Sequence, residues 1–316
     1  MNRILLLLLT AGCGDGSDVA PPDTDADADT DGDADTDADA DTDADTDSDT
    51  GTGQSCAKLW EIRTGAETIR AGDQDYRCWT VEAPSDGYAV RLETIVPEDD
   101  EGVMHHVVLM RGGWSLDCAS SEAFNPIVFG GGLGTGAVHM PPGVGLPVSE
   151  GERFILQFHL TNATDEDVEY DMGVDLCLED SVEHEADLVT WGPENVNIPG
   201  DGERHTFTSD CPITQDVTFF AGFGHMHQLG THTELGIDGE VFGAVDPWDF
   251  TNQPMLMIDP VLPAAAGARL TVSCTYVNPA GNEAVGWGPW SEDEMCLPSA
   301  YYFPAGMDSC FEFGGF

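Results

Sequence analysis

Phe154-Ile155-Leu156-Gln157-Phe158-His159-Leu160 alternates with a period of two. In an extended strand, successive side chains point to opposite faces. Phe154, Leu156, Phe158 and Leu160 therefore share one face, and Ile155, Gln157 and His159 the other. The first face reads as core. The second sets an imidazole beside an amide and reads as the wall of a cleft. Residues 88–92, 103–110, 217–223 and 270–276 are similar short apolar runs, separated by Gly, Pro, Asn and Asp. No long stretch repeats every 3.6 residues, so the chain from Cys56 onward is expected to be all-β. Gly130-Gly131-Gly132-Leu133-Gly134 lacks the Lys-Ser/Thr of a phosphate-binding loop and is read as plain loop.

The N-terminal 54 residues have a different texture. Arg3 precedes the apolar run Ile4 to Leu9, and Thr10-Ala11-Gly12 leads to Cys13. The run is too short to span a bilayer. It reads as an export signal of lipoprotein type over 1–13, with Cys13 as the lipidated residue. Every second residue from Asp23 to Asp49 is Asp, which accounts for 14 of the 59 acidic residues. Self-repulsion and the lack of apolar residues make 14–54 an extended, disordered linker. The chain is thus expected to be exported and anchored by lipid at a bacterial envelope, at the outer membrane or cell surface. A net charge of -49 excludes nucleic acid, which needs a basic face.

Besides Cys13, the chain has Cys56, Cys78, Cys118, Cys177, Cys211, Cys274, Cys296 and Cys310. An even number in an exported chain implies four disulfides, with about 105 pairings open. Four cysteines fall on each side of a boundary near 180–190, which suggests domains at 55–183 and 184–316.

Three histidine clusters carry the chemistry: His105-His106, His159, and His225-Met226-His227. His225 and His227 stand two apart, so on a strand both project from one face. Gly222 and Gly224 beside them fit a close backbone approach or a bulge. His105 and His106 are adjacent and would point to opposite faces of a regular strand, so one metal could take both only at a bulge or strand end. Met295, in Ser291-Glu292-Asp293-Glu294-Met295-Cys296, offers a thioether, a soft ligand that favours copper over zinc, magnesium or calcium. Standing alone it would be read as core. His139, His184, His205 and His232 show no partner pattern and are read as surface or loop residues, His232 being near enough to the 225–227 pair to support it.

Together these segments resemble the copper type II, ascorbate-dependent monooxygenases. The resemblance covers 56–316 and rests on motifs in the family's order. These are the His105-His106 pair, Leu156-Gln157-Phe158-His159, His225-Met226-His227-Gln228-Leu229-Gly230, and Asp293-Glu294-Met295-Cys296, with Pro142-Gly143-Val144-Gly145 before the second. It implies two consecutive antiparallel sandwiches of jelly-roll type, each carrying one copper across an open cleft. His105, His106 and His159 would hold an electron-storing copper. His225, His227 and Met295 would hold the oxygen-activating copper and be the catalytic set. It also implies disulfides Cys56–Cys177, Cys78–Cys118, Cys211–Cys310 and Cys274–Cys296. The implied reaction is hydroxylation of a C–H bond in a small organic substrate, with O2 and ascorbate or a similar reductant. Gln157 is placed to orient a ligand or water. Peptide-amidating members carry Arg two residues before the His-x-His pair, and this chain has Phe223 there. A carboxylate clamp wants Arg, so the expected substrate is apolar or aromatic.

Two other readings share these residues. A non-catalytic lipoprotein that binds or scavenges copper needs the same ligands. A zinc hydrolase with three histidines and a water leaves Met295 without a role.

Overall fold

In the computed structural model, residues 56–97, 102–113, 118, 125–132, 135–193, 195–308 and 310 are described. The signal segment 1–13, Cys13 and the linker 14–54 lie outside them. Among the described residues there are 22 strands and no helix, so the protein is all-β. The first half runs β1 (Lys58–Arg63), β2 (Glu67–Ile69), β3 (Gln74–Glu82), β4 (Gly87–Ile95), β5 (Met104–Arg111), β6 (Ile127–Gly132), β7 (Val138–His139), β8 (Val144–Val148), β9 (Arg153–Thr161), β10 (Val168–Tyr170), β11 (Gly173–Glu179) and β12 (His184–Glu185). The second runs β13 (Asp187–Thr190), β14 (Asn197–Ile198), β15 (Arg204–Pro212), β16 (Val217–Phe223), β17 (Gly230–Ile237), β18 (Glu240–Val245), β19 (Met255–Ala264), β20 (Arg269–Val277), β21 (Val285–Gly286) and β22 (Ser299–Phe303).

Each half contributes two larger sheets. In the first they are β1-β11-β4-β8-β12, with β7 on β4, and β3-β9-β5-β6. In the second they are β13-β22-β16-β19 and β15-β20-β17-β18. The five apolar runs in the sequence fall on strands β4, β5, β9, β16 and β20, with Val103 alone preceding its strand.

Two apolar cores follow the same division. One gathers buried residues from Trp60 to Ala186, and the other from Val189 to Met307. The halves are not independent, because Phe220, Ala221 and Tyr301 of the second pack into the first core. The Tyr301 hydroxyl also donates across to Val128 O at 3.0 Å. Four disulfides tie strands and loops within each half: Cys56–Cys177, Cys78–Cys118, Cys211–Cys310 and Cys274–Cys296.

β9 shows how the alternation is used. Phe154, Leu156, Phe158 and Leu160 enter the core as expected. Each such side chain contributes about 1.5–3 kcal/mol through burial. The opposite face is not exposed to solvent, since Ile155, Gln157 and His159 are completely buried. Both faces of this strand are covered. The glycine run is a further departure from expectation: Gly130, Gly131 and Gly132 belong to β6, paired with β5, while 133–134 lie outside the described residues. Glycine suits this strand because a Cβ on Gly131 would come within 2.5 Å of Thr94 Oγ1, and one on Gly132 within 3.2 Å of His105 O.

Candidate metal centre

The covered face of the β3-β9-β5-β6 sheet builds the first cluster. Tyr76 of β3 lies opposite His159 of β9, His159 opposite His106 of β5, and His106 opposite Gly132 of β6. These four residues form one row across the sheet. The β5–β9 register shifts between Met104 and His106, which makes His105 the extra residue of a bulge. A bulge re-aims a side chain that regular pleating would send to the other face. Both members of the His105-His106 pair therefore turn toward His159. His105 Nδ1 is 3.0 Å from His159 Nδ1 and 3.1 Å from His106 Nδ1. One ligand atom from each of the three lies within 4.8 Å of the others. A neutral imidazole nitrogen offers either one N–H or one lone pair, yet His105 Nδ1 lies within hydrogen-bond distance of two other Nδ1 atoms. A shared cation suits such a donor set.

The surroundings hold the rings in place. Tyr76 stacks on His159 at 4.1 Å and 10°, and its hydroxyl donates to Pro289 O at 2.5 Å. The Gln74 amide meets His159 Nε2 at 2.6 Å and Ser291 Oγ at 2.9 Å. Phe250 covers His105 at 3.9 Å between ring centroids.

His225 and His227 are not on a strand. They sit in the extended segment immediately after β16. The alternation persists there, so Met226 points into the second core while the two rings lie 5.0 Å apart. At Gly224 the backbone runs close to β17, where a Cβ would meet the Thr233 methyl at 2.9 Å. His225 Nδ1 donates to Gln253 Oε1 at 2.9 Å. His227 Nδ1 donates to Asp293 O at 3.0 Å, an oxygen that can only accept. In both rings this leaves Nε2 as the lone-pair nitrogen. His227 Nε2 is buried and has no hydrogen-bond partner, so a metal would satisfy it.

The segment ending at Met295 supports this pair. Glu294 accepts from His227 N at 3.0 Å and from Leu229 N at 2.5 Å. The Tyr276 hydroxyl donates to Met295 O at 2.6 Å, and the Cys274–Cys296 disulfide ties the next residue to β20. Met295 is buried, and its side chain lines the same cavity as His225.

The two clusters adjoin. The His106 and His225 rings lie 5.3 Å apart, edge to face. An open cleft between the halves, as the resemblance implied, is not what this structure shows. The Tyr301–Val128 bond and the bond from Thr135 Oγ1 to Gln253 O at 2.8 Å draw the halves together.

Burial lowers the pKa of every one of the five imidazoles. His105 falls to about 2, from burial first and then from His159, His225 and His227. His159 falls to about 3 through burial and His225, and His227 to about 3 mainly through burial. His106 lies well below its ordinary value, and burial lowers His225 against the opposing Gln253 bond. All five are neutral at neutral pH and keep the lone pairs that bind metal. Glu294 moves the other way, to about 7, because burial outweighs its backbone hydrogen bonds.

The remaining histidines stand apart from the clusters, though all four lie in strands rather than loops. His139 is in β7, and His184, in β12, stacks on Phe303 at 5.5 Å. His205 pairs with Asp201, and His232 with Glu234 and Asp246. Gln157 lines the cavity beside His106, and its Nε2 donates to Cys118 O at 2.5 Å. Sequence reading passed over Gln74, Tyr76, Phe250 and Gln253. They come from distant segments, and no spacing marks them. Glu294 stands beside Met295 but ends the acidic run Glu292-Asp293-Glu294, and nothing in that run singles it out.

Residues 185–314 match the family described as copper type II ascorbate-dependent monooxygenase, C-terminal domain. The chain is similar to a dopamine beta-hydroxylase of Canis lupus familiaris, 26% identical over 267 residues, covering 72% of this chain and 43% of that one. It is also similar to a tyramine beta-hydroxylase of Caenorhabditis briggsae, 24% identical over 269 residues, covering 73% and 46%. It thus spans less than half the length of these relatives. Among solved structures, PNGase F, a glycosylasparaginase from Flavobacterium meningosepticum, aligns over 80% of this chain and 97% of its own. It does so with 10% identity and a TM-score of 0.37, too low to carry an argument.

Proposed function

We propose that this chain, whose residues 185–314 match the C-terminal domain of the copper type II ascorbate-dependent monooxygenases, hydroxylates a C–H bond of a small organic substrate. The observation that carries this reading is the adjoining set of five buried, neutral imidazoles, with Met295 on the wall of the cavity that His106 and His225 line. His105, His106 and His159 would hold one copper ion, and His225, His227 and Met295 a second. Bound copper supplies one-electron redox chemistry and a place for O2, with the thioether favouring the reduced ion.

The substrate C–H bond is replaced by C–OH, and the second oxygen atom leaves as water. Two electrons come from an ascorbate-like reductant, together with two protons. The chain's own residues fix the donor atoms and shield them. The Gln253 and Asp293 carbonyl groups hold the His225 and His227 rings with Nε2 forward. Tyr76 and Phe250 close the faces of His159 and His105 against water.

The same reading takes each half as a jelly-roll sandwich, which the pairing of two sheets per half supports. It takes the protein as an exported lipoprotein attached through Cys13. The alternative, a copper-binding surface lipoprotein without catalysis, uses the same ligands. Copper analysis with oxygen uptake separates the two. The enzyme should bind two ions per chain and consume O2 with ascorbate in step with hydroxylated product. Two ions bound with no product across a broad substrate panel would establish the alternative.

A further inference from the structure

Between the clusters lies a partly open cavity of about 50 Å³, three to five times what one water needs. One wall is the covered face of the β3-β9-β5-β6 sheet. Tyr76, His106 and His159 lie in one row of that face, and Gln157, Val108 and Gly130 in the next. The other wall comes from the β13-β22-β16-β19 sheet, where Ser299 sits opposite Phe223, Phe223 opposite Met255, and Leu188 opposite Tyr301. A molecule in this space touches His106 of one cluster and both His225 and Met295 of the other.

None of the lining residues is Lys, Arg, Asp or Glu. The hydroxyl groups that line it are also engaged. Ser299 Oγ bonds Thr190 Oγ1 at 2.9 Å, the Tyr301 hydroxyl donates to Val128 O, and the Tyr76 hydroxyl to Pro289 O. Gln157 Nε2 is held by Cys118 O. A charged ligand would lose its hydration here and find no ion of opposite sign, a transfer that proteins strongly disfavour. An apolar group would exchange water for Phe223, Leu188, Met255 and Leu297.

We propose that this cavity selects a small, uncharged, apolar substrate, whose hydrocarbon end lies between the two histidine clusters. The proposal rests on the monooxygenase reading for the reaction, but its binding step does not need metal. Phe223 and Gly130 are its specificity-determining residues. Phe223 forms the apolar wall beside His225, the rings stacking at 6.5 Å and 16°. Gly130 leaves the opposite wall open. A Cβ there would meet only Phe223 Cε1, at 3.9 Å, and the backbone is not in the left-handed region. A side chain at 130 should therefore fill the cavity without straining the strand.

The test titrates the metal-free full chain at pH 7.5 with toluene, benzylamine and benzoate, which are similar in size and differ in charge. Ligand-observed NMR reads the affinities. Toluene should bind saturably, with the cation and the anion at least tenfold weaker. Gly130→Leu should weaken toluene binding at least tenfold while still taking up two copper ions. Charged ligands binding as tightly as toluene, or undiminished toluene binding in a folded Gly130→Leu chain, would overturn the proposal. If that variant does not fold, the charge series on the unmodified chain decides alone. Turnover separates the two layers. If toluene binds but neither it nor any of a broad panel of compounds is hydroxylated with copper, ascorbate and O2, the monooxygenase reading fails and the cavity assignment stands. Preferential hydroxylation of benzylamine would do the reverse.

Discussion

Replacing Glu294 with alanine strands two backbone donors, the buried His227 N and the half-buried Leu229 N, which the carboxylate now satisfies at 3.0 and 2.5 Å. A buried donor left without a partner costs about 1–3 kcal/mol, so the pair sets a scale of about 2–6 kcal/mol. One effect opposes this. Burial pushes the Glu294 carboxyl up to about 7, so its ionised form carries a desolvation cost that alanine removes. The net loss should fall in the lower part of the range, about 2–3 kcal/mol. Glu294→Gln keeps one accepting oxygen and should lose about half as much. Against a typical total of about 5–15 kcal/mol, both changes are measurable. Urea unfolding of the metal-free chain should rank wild type above Gln above Ala, with an unchanged slope. The damage should also be local. The Ala variant should keep the copper ion at His105, His106 and His159 and bind the other more weakly. If Glu294→Ala stays within about 0.5 kcal/mol of wild type, or weakens the histidine-trio ion instead, the carboxylate does not organise the 225–229 turn.

Other tests address separate parts of the structure. His159→Ala and His227→Ala should each lower copper from two ions per chain to one by metal analysis, and the double variant should bind none; a single variant that loses both would merge the sites into one. Phe158, completely buried in the first core, should cost about 3–5 kcal/mol when cut to alanine, read by the same unfolding assay. Removing the Cys274–Cys296 bond by double serine substitution should cost about 3 kcal/mol from loop entropy. It should also weaken copper at the site containing Met295 more than at the trio. Acid should destabilise the metal-free chain. His105, His159 and His227 titrate at about 2, 3 and 3 when folded, against about 6.5 unfolded. Between those values the unfolded chain binds more protons. Stability is therefore full above about 6.5 and falls as the pH drops toward 3. A urea midpoint that stays flat from pH 7 to pH 5 would contradict this.

Much of the architecture was legible because strand geometry is local. Alternation along 154–160 identified the core face of β9, and the apolar runs marked β4, β5, β16 and β20. It failed where a residue's environment is set from outside its own strand. The second face of β9 was expected to border a cleft, but other elements cover it fully. The glycines at 130–132 looked like loop because their use, close approach to Thr94 and to the His105 carbonyl, depends on partners not adjacent in sequence.

For the metal centre, the sequence by itself determined the donor inventory: five imidazoles, a thioether and the order of the motifs that carry them. These are chemical properties of the residues and hold in any fold. Only the tertiary structure decided how the donors are aimed. The bulge at His105 turns two adjacent rings the same way, a register effect created by pairing with β9. The Gln253 and Asp293 oxygens choose which nitrogen of His225 and His227 faces inward, and they arrive from segments 28 and 66 residues away. The contact between His106 and His225 exists because residues of the second half pack into the core of the first. No local pattern encodes that distance, since it is the sum of long-range packing across both cores.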